Sequence, residues 1–148
     1  MADKSMEGLN TFTVEETKAV DTAKKMRIGI IGCGRIARSH MKAYLNQPDV
    51  EIVAGVDIVP GKAEAFMKQF IPEGVKTDYA THEEMLADKS LCLDAVSVCT
   101  YNRQHAKPTI DALKAGVNVL LEKPFTVTLD EAIEVMRVEK ETGKLLSV

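Results

Sequence analysis

The chain has 148 residues, of which 45% are hydrophobic and 28% are charged, and its formal net charge is −3 at pH 7. This length suffices for one buried core of ordinary size and not for two. The near-neutral charge argues against a nucleic-acid or acidic-membrane partner, and there is no apolar run of about 18 residues that could span a membrane.

Residues 1–24 contain no strand signal and are interpreted as a leader, in which a capping box at Thr13 predicts an amphipathic helix at 15–25. From residue 26 onward, short apolar segments alternate with segments of helical periodicity. Strands are predicted at 26–31, 50–57, weakly at 76–79, and at 93–99, 117–121 and 144–148. Helices are predicted at 36–46, 62–70, after the N-cap Thr81, at 107–115 before Gly116, and at 129–142 before Gly143.

This alternation predicts parallel βαβ units with right-handed crossovers. The strands are apolar on both faces, as a sheet covered by helices on both sides requires. We therefore expect residues 25–148 to form an α/β domain with a doubly wound parallel sheet, a Rossmann fold of strand order 3-2-1-4-5-6.

A glycine-rich turn joins the first predicted strand to the first helix, in the pattern GxGxxA that is typical of dinucleotide sites. Its residues are Gly32, Cys33, Gly34, Arg35, Ile36 and Ala37. The first glycine permits the tight turn, the second lets the backbone approach a pyrophosphate, and the alanine allows close packing of helix on strand. The helix N-terminus then offers free N–H groups to the phosphates, and Arg35 either adds a charge or lies on the surface.

An acidic residue is expected at the end of the second strand, and Asp57 lies there, about 20 residues after Ala37. Its carboxylate would accept hydrogen bonds from the adenosine ribose hydroxyls and repel a 2′-phosphate, which favours NAD over NADP. Lys62 nearby would soften that preference. The alternative is that Asp57 only caps the turn before Pro60.

Polar clusters follow two further strands, at the edge of the sheet where ligands gather in this fold. One cluster contains Cys99, Thr100, Tyr101, Asn102 and His105, and the other contains Glu122, Lys123 and Pro124. Both are expected near the nicotinamide end of the site. From the residues alone, a surface cation after a strand is the simpler interpretation of Lys123.

The combination of GCGRIA, Asp57, TYNxxH and AGVNVLLEKP resembles the Gfo/Idh/MocA oxidoreductases, from Met26 to the end of the chain. The resemblance implies that Lys123 is the catalytic lysine beside the nicotinamide and that Glu122 helps to seat the cofactor. It also implies that Thr100, Asn102 and His105 line the nicotinamide half. The family often has proline where this chain has Tyr101, and its Lys–Pro bond is often cis.

The resemblance further implies an NAD-dependent dehydrogenase that acts on CH–OH groups of sugars, inositols or related polyols. Members of that family continue into a second α/β domain that binds substrate, so we expect this chain to lack that domain and to be cut within its sixth strand. We expect it to bind NAD with little turnover, and its open sheet edge favours self-association.

Two alternatives remain at this stage. The first is a non-catalytic cofactor-binding or regulatory module, which would have no need of the Glu-Lys-Pro lysine. The second, a short-chain dehydrogenase, is disfavoured because no Tyr-x-x-x-Lys pair follows the fourth predicted strand. The three cysteines lack CxxC spacing, so neither a disulfide framework nor a metal site is expected, and a cytoplasmic location fits best.

Overall fold

The computed structural model describes residues 24–148, so the predicted leader and its helix lie almost wholly outside the described residues. The strands are β1 (Met26–Ile31), β2 (Val50–Val56), β3 (Ala95–Val98), β4 (Asn118–Leu121) and β5 (Leu146–Ser147). The helices are α1 (Ala37–Leu45), α2 (Lys62–Met67), α3 (His82–Ala87), α4 (Ala106–Lys114) and α5 (Leu129–Thr142), with short 3-10 turns at Lys89–Leu91 and Asn102–Gln104.

The five strands form one parallel sheet in the order β2-β1-β3-β4-β5. This order confirms the predicted doubly wound topology, except that the predicted strand at 76–79 is wrong. That segment makes one isolated parallel bridge, Ala54 to Lys76, beside β2 where the topology places it. The side chains that follow Lys76 are the half-buried Thr77 and the exposed Asp78, so this polar segment offers no continuous apolar face to extend the pairing.

Local signals in the sequence account for the helix boundaries. A capping box begins α5, in which the Thr128 side chain accepts from the Glu131 N–H while the Glu131 carboxylate accepts from the Thr128 N–H. Thr81 caps α3 by accepting from the Glu84 N–H at 3.3 Å. Gly116 and Gly143 end α4 and α5 with positive φ, which confirms both as helix stops.

Two apolar clusters cover the two faces of the sheet. One packs strand residues such as Val98 and Leu121 against α3, α4 and α5, and the other packs Ile28 and Ile30 against α1 and α2. Burial on both faces places the open ends of the strands, rather than either face, at the surface where a ligand can enter. Within residues 24–148, no helix is long and apolar enough to cross a membrane.

Candidate functional site

A cavity of about 970 Å³ opens beyond the carboxyl ends of β1, β2 and β3. This is the place where a doubly wound sheet binds ligands, because the strand order reverses there. Of the residues predicted from the sequence, the cavity is lined by Gly32, Gly34, Arg35, Ile36, Asp57, Cys99, Thr100 and Tyr101.

Glycine is present at the two positions of the turn after β1 for different structural reasons. Gly32 has φ +89°, and a Cβ there would lie 2.9 Å from the backbone of Cys99 and Thr100, so the turn and the end of β3 require glycine. A Cβ at Gly34 would meet no atom within 4 Å and would project into open space. No side chain in the described residues caps α1, and the first-turn N–H groups of Arg38 and Ser39 donate to the Arg35 and Ile36 carbonyl oxygens at 3.3 and 2.9 Å. The backbone N–H groups at 34–37, just before them, are the ones that face an anion at this helix start. This turn fits a pyrophosphate.

Asp57 is held in a fixed orientation at the end of β2. Its Oδ2 accepts from the Cys33 N–H at 2.9 Å and pairs with Lys62 Nζ at 2.8 Å, and its Oδ1 accepts from the Val59 N–H at 3.0 Å. Burial raises the pKa of the Asp57 carboxyl, and these hydrogen bonds outweigh that effect and set the pKa below its ordinary value. The carboxylate is thus ionised and oriented at neutral pH, and Lys62 neutralises part of its charge.

Apolar side chains form the wall next to Asp57. Ile58 and Val59 are 69% and 50% exposed, and both line the cavity. Tyr101 is 81% exposed and lies on the opposite segment, after β3. Large apolar groups left open beside a polar anchor are suited to a planar base.

The two cysteines of the site are inert thiols. Burial, with a smaller contribution from Asp57, raises the pKa of Cys33 to about 12, and burial raises the pKa of Cys99 to about 12 as well. Neither forms a thiolate at neutral pH, so neither is a nucleophile. Cys33 contributes its backbone N–H to Asp57, while its side chain is buried under the turn.

His105 connects the two polar clusters from inside the protein. Its ring is 1% exposed, with Nδ1 at 2.8 Å from the Pro124 carbonyl oxygen and Nε2 at 3.1 Å from the Thr100 carbonyl oxygen. Asn102 is exposed, and its side-chain oxygen accepts from the Arg103 N–H. His105 thus joins the segments after β3 and β4, and neither it nor Asn102 lines the cavity.

The segment after β4 lies beyond the cavity lining. Lys123 is exposed, makes no salt bridge with any residue of the described range 24–148, and precedes Pro124 through a cis peptide bond, as the resemblance implied. Glu122 is mostly buried, and its Oε1 lies 2.7 Å from His40 Nε2.

His40 is a residue whose contacts the sequence did not predict. It lies on the inner side of α1, and its Nδ1 is 3.2 Å from the Ser97 hydroxyl oxygen, which is 2.5 Å from the Tyr44 hydroxyl oxygen. A polar residue on the buried side of an amphipathic helix requires a partner, and Ser97 in the apolar strand β3 requires one too. The need of these two polar residues for buried hydrogen-bond partners was the sequence signal from which their contact could have been inferred.

A second unpredicted group lies where α3 meets α4, at the edge of the cavity. His82 Nε2 is 2.8 Å from Asp111 Oδ2, and Lys107 Nζ is 2.6 Å from both Glu83 Oε1 and Asp111 Oδ2. His82, Glu83 and Asp111 offer atoms within 4.8 Å of one another, a spacing compatible with a metal ion. The Lys107 ammonium already bridges both carboxylates, so the group is paired internally.

The chain matches a family model described as "Oxidoreductase family, NAD-binding Rossmann fold" (GFO_IDH_MocA) over residues 26–148. It is 34% identical over 131 residues to a D-glucoside 3-dehydrogenase from Escherichia coli, covering 88% of this chain and 36% of that protein. It is 32% identical over 120 residues to an inositol 2-dehydrogenase from Salmonella typhimurium, covering 80% and 34%. The chain thus spans about a third of the length of the curated relatives it matches.

Solved structures agree with this match. The WlbA dehydrogenase from Chromobacterium violaceum, solved with NADH and UDP-GlcNAcA, superposes with a TM-score of 0.75 at 27% identity, over 83% of this chain and 34% of that one. A point mutant of the 3-ketoreductase KijD10 from Actinomadura kijaniata, solved with TDP-benzene and NADP, has a TM-score of 0.72 at 30% identity, over 83% of this chain and 38% of that one.

Proposed function

This chain belongs to the Gfo/Idh/MocA oxidoreductase family, with an NAD-binding Rossmann domain at residues 26–148, and we propose that this domain serves the oxidation of CH–OH groups in sugars, inositols or related polyols. One observation carries the proposal. The cavity has an open glycine turn and, hydrogen-bonded to that turn through the Cys33 N–H, an oriented and ionised Asp57, which are the two contacts that an adenosine diphosphate moiety requires.

In this proposal, the backbone of 32–36 and the first turn of α1 bind the pyrophosphate, and Asp57 accepts hydrogen bonds from the adenosine ribose. Ile58 and Val59 contact the adenine. NAD is preferred because the Asp57 carboxylate repels a 2′-phosphate. The ion pair with Lys62 weakens that repulsion, so NADP binds less tightly rather than not at all.

Lys123 is the proposed catalytic residue. Its free ammonium orients the substrate hydroxyl and helps to move the proton of that hydroxyl. Four further residues are proposed to shape the nicotinamide end of the site: Glu122, Thr100, Asn102 and His105. The buried His105 ring does so indirectly, because it joins the segment after β3 to the segment after β4. When bound, the nicotinamide supplies the hydride chemistry at its C4 atom.

We propose that residues 1–148 by themselves bind NADH with little or no turnover. All three histidines of the chain already have partners, namely Glu122 for His40, Asp111 for His82 and two carbonyls for His105. None is therefore free to act on a substrate beside Lys123. The non-catalytic regulatory module is the second candidate, and Lys123, which is exposed and makes no salt bridge within residues 24–148, argues against it.

Two further properties belong to the same proposal. The three unpaired cysteines favour a reducing, cytoplasmic location. The edge of β5 and the exposed apolar residues Leu129, Ile133 and Met136 on α5 favour self-association, which a concentration series in analytical ultracentrifugation measures.

The test is a fluorescence titration of the 148-residue chain with NADH and with NADPH. We expect saturable binding of both, with NADH at least about fivefold tighter. Binding of NADPH in clear preference to NADH would contradict the assignment of Asp57. The absence of dinucleotide binding by a folded chain would contradict the proposed function itself.

A further inference from the structure

Four polar side chains form a continuous chain through the space between α1 and the sheet, which we call the α1–β4 polar chain. It runs from the Tyr44 hydroxyl to the Ser97 hydroxyl, from there to His40 Nδ1, and from His40 Nε2 to the Glu122 carboxylate. Ser97 is fully buried, and the side chains of His40 and Glu122 are 11% and 17% exposed.

The hydrogen bonds of the α1–β4 polar chain all run from donor to acceptor in the same direction. The Glu122 carboxylate can only accept, so His40 Nε2 carries the hydrogen and donates it. In the neutral ring Nδ1 is then an acceptor, and Ser97 donates to it, which leaves the Ser97 oxygen to accept from Tyr44. Burial raises the pKa of the Tyr44 phenol, which therefore remains a donor at neutral pH. In this tautomer of the neutral ring, every donor points toward Glu122.

Two simpler roles do not account for the arrangement. Ser97, His40 and Glu122 have the connectivity of a nucleophilic triad, but the Ser97 oxygen is buried in the centre of the sheet and no substrate could reach it. Stability is not a sufficient reason for the α1–β4 polar chain, because well-packed apolar residues in place of buried ionic or polar groups are often as stable or more so. A role in placing Glu122 remains.

We propose that His40, supported by Ser97 and Tyr44, is a positioning residue that fixes the Glu122 carboxylate and thereby the nicotinamide end of the site. This inference rests on the proposed function, in which Glu122 and Lys123 face the nicotinamide half of the cofactor. Glu122 directly precedes Lys123, so a fixed Glu122 side chain also limits the movement of the lysine backbone. The adenosine and pyrophosphate contacts lie at Asp57 and the glycine turn and do not depend on it.

The test compares NADH with ADP, which carries the adenosine and pyrophosphate groups and lacks the nicotinamide half. In His40→Met, we expect NADH affinity to fall by about tenfold, which is the lower end of the range for the loss of a hydrogen bond to a charged group. We expect ADP affinity to change by less than about twofold. In His40→Gln, the side-chain amide still reaches Glu122, so most of the NADH affinity should return. ADP also reports any displacement of α1, because the same helix begins at the pyrophosphate.

A double-mutant cycle identifies the path of the effect. In a Glu122→Gln background, His40→Met should weaken NADH binding by less than about twofold, since the carboxylate that His40 orients is gone. If His40→Met folds poorly by circular dichroism, Tyr44→Phe gives the same comparison with the ring volume kept, and we expect an NADH loss of about threefold.

Equal losses of NADH and ADP affinity, or no loss of either, would overturn the positioning role. An equal effect of His40→Met in the presence and absence of the Glu122 carboxylate would overturn it as well. These outcomes differ from failure of the proposed function, in which the unmodified chain binds neither NADH nor ADP.

Discussion

Replacing Gly34 by alanine separates the stability of the domain from its ability to bind the cofactor. Gly34 is not among the glycines with positive φ, and a Cβ added there meets no atom of the protein within 4 Å. Alanine at such a compatible position stabilises a protein by about 0.4–1 kcal/mol, because it restricts the unfolded chain. For a domain of this size that corresponds to a rise in Tm of about 1–4 °C.

The same methyl group projects into the space that we assign to the pyrophosphate. Inserting an extra carbon into a close contact costs about 1–3 kcal/mol, which corresponds to about fivefold to more than a hundredfold in Kd. Gly34→Ala should therefore raise the Tm and weaken NADH binding together. An ordinary destabilising substitution would lower the Tm instead.

Gly74→Ala is the matched control. Gly74 also has no atom within 4 Å of an added Cβ, but its φ is +80° and it lies outside the cavity lining. Alanine there should cost about 1–2 kcal/mol of stability and leave NADH binding unchanged. Differential scanning calorimetry and NADH titration of both variants give the comparison. If Gly34→Ala binds NADH as tightly as the unmodified chain, the pyrophosphate does not lie at this turn.

Three further predictions concern the same edge of the sheet. Asp57→Asn should raise the affinity for NADPH relative to NADH by about tenfold, since it removes the repelling charge and frees Lys62; an unchanged ratio in parallel titrations would contradict this. The Asp57 carboxyl has a folded-state pKa below its ordinary value of 3.8, so its contribution to stability is complete above that value and is lost as the pH falls through the lower folded-state pKa. NADH affinity should accordingly be flat between about pH 5 and pH 8, and an inflection in that range that disappears in Asp57→Asn would refute the assignment. Cys33 and Cys99 are buried with pKa values of about 12 and Cys92 is exposed, so a thiol reagent should label one cysteine quickly in the folded chain, and Cys92→Ser should remove that reaction.

Much of the fold could be predicted because its signals are local. The apolar strands, the cap at Thr81 and the glycines at 116 and 143 each encode their element within a few residues, and the structure confirms them. The segment at 76–79 was wrongly predicted as a strand. Whether such a polar edge segment pairs depends on its neighbour β2 and on the cover above it, which the segment does not encode.

In the candidate site too, locally encoded features could be predicted and contacts between distant residues could not. The GxGxxA turn and Asp57 could be recognised because their spacing along the chain sets their geometry, and the structure places both at the cavity. The partners of His40 and His82 could not, because Glu122 and Asp111 lie 82 and 29 residues away from them. The inward orientation of His105 depends likewise on the turn around Pro124, which no local pattern describes.

A crystal structure of the chain with NADH tests the central claim most directly. The account predicts the pyrophosphate against Gly34 and the first turn of α1, the adenosine ribose hydroxyls bonded to Asp57, and the nicotinamide directed toward Glu122 and Lys123. A dinucleotide bound away from this cavity, or bound in it with the nicotinamide end at Asp57, would contradict the account.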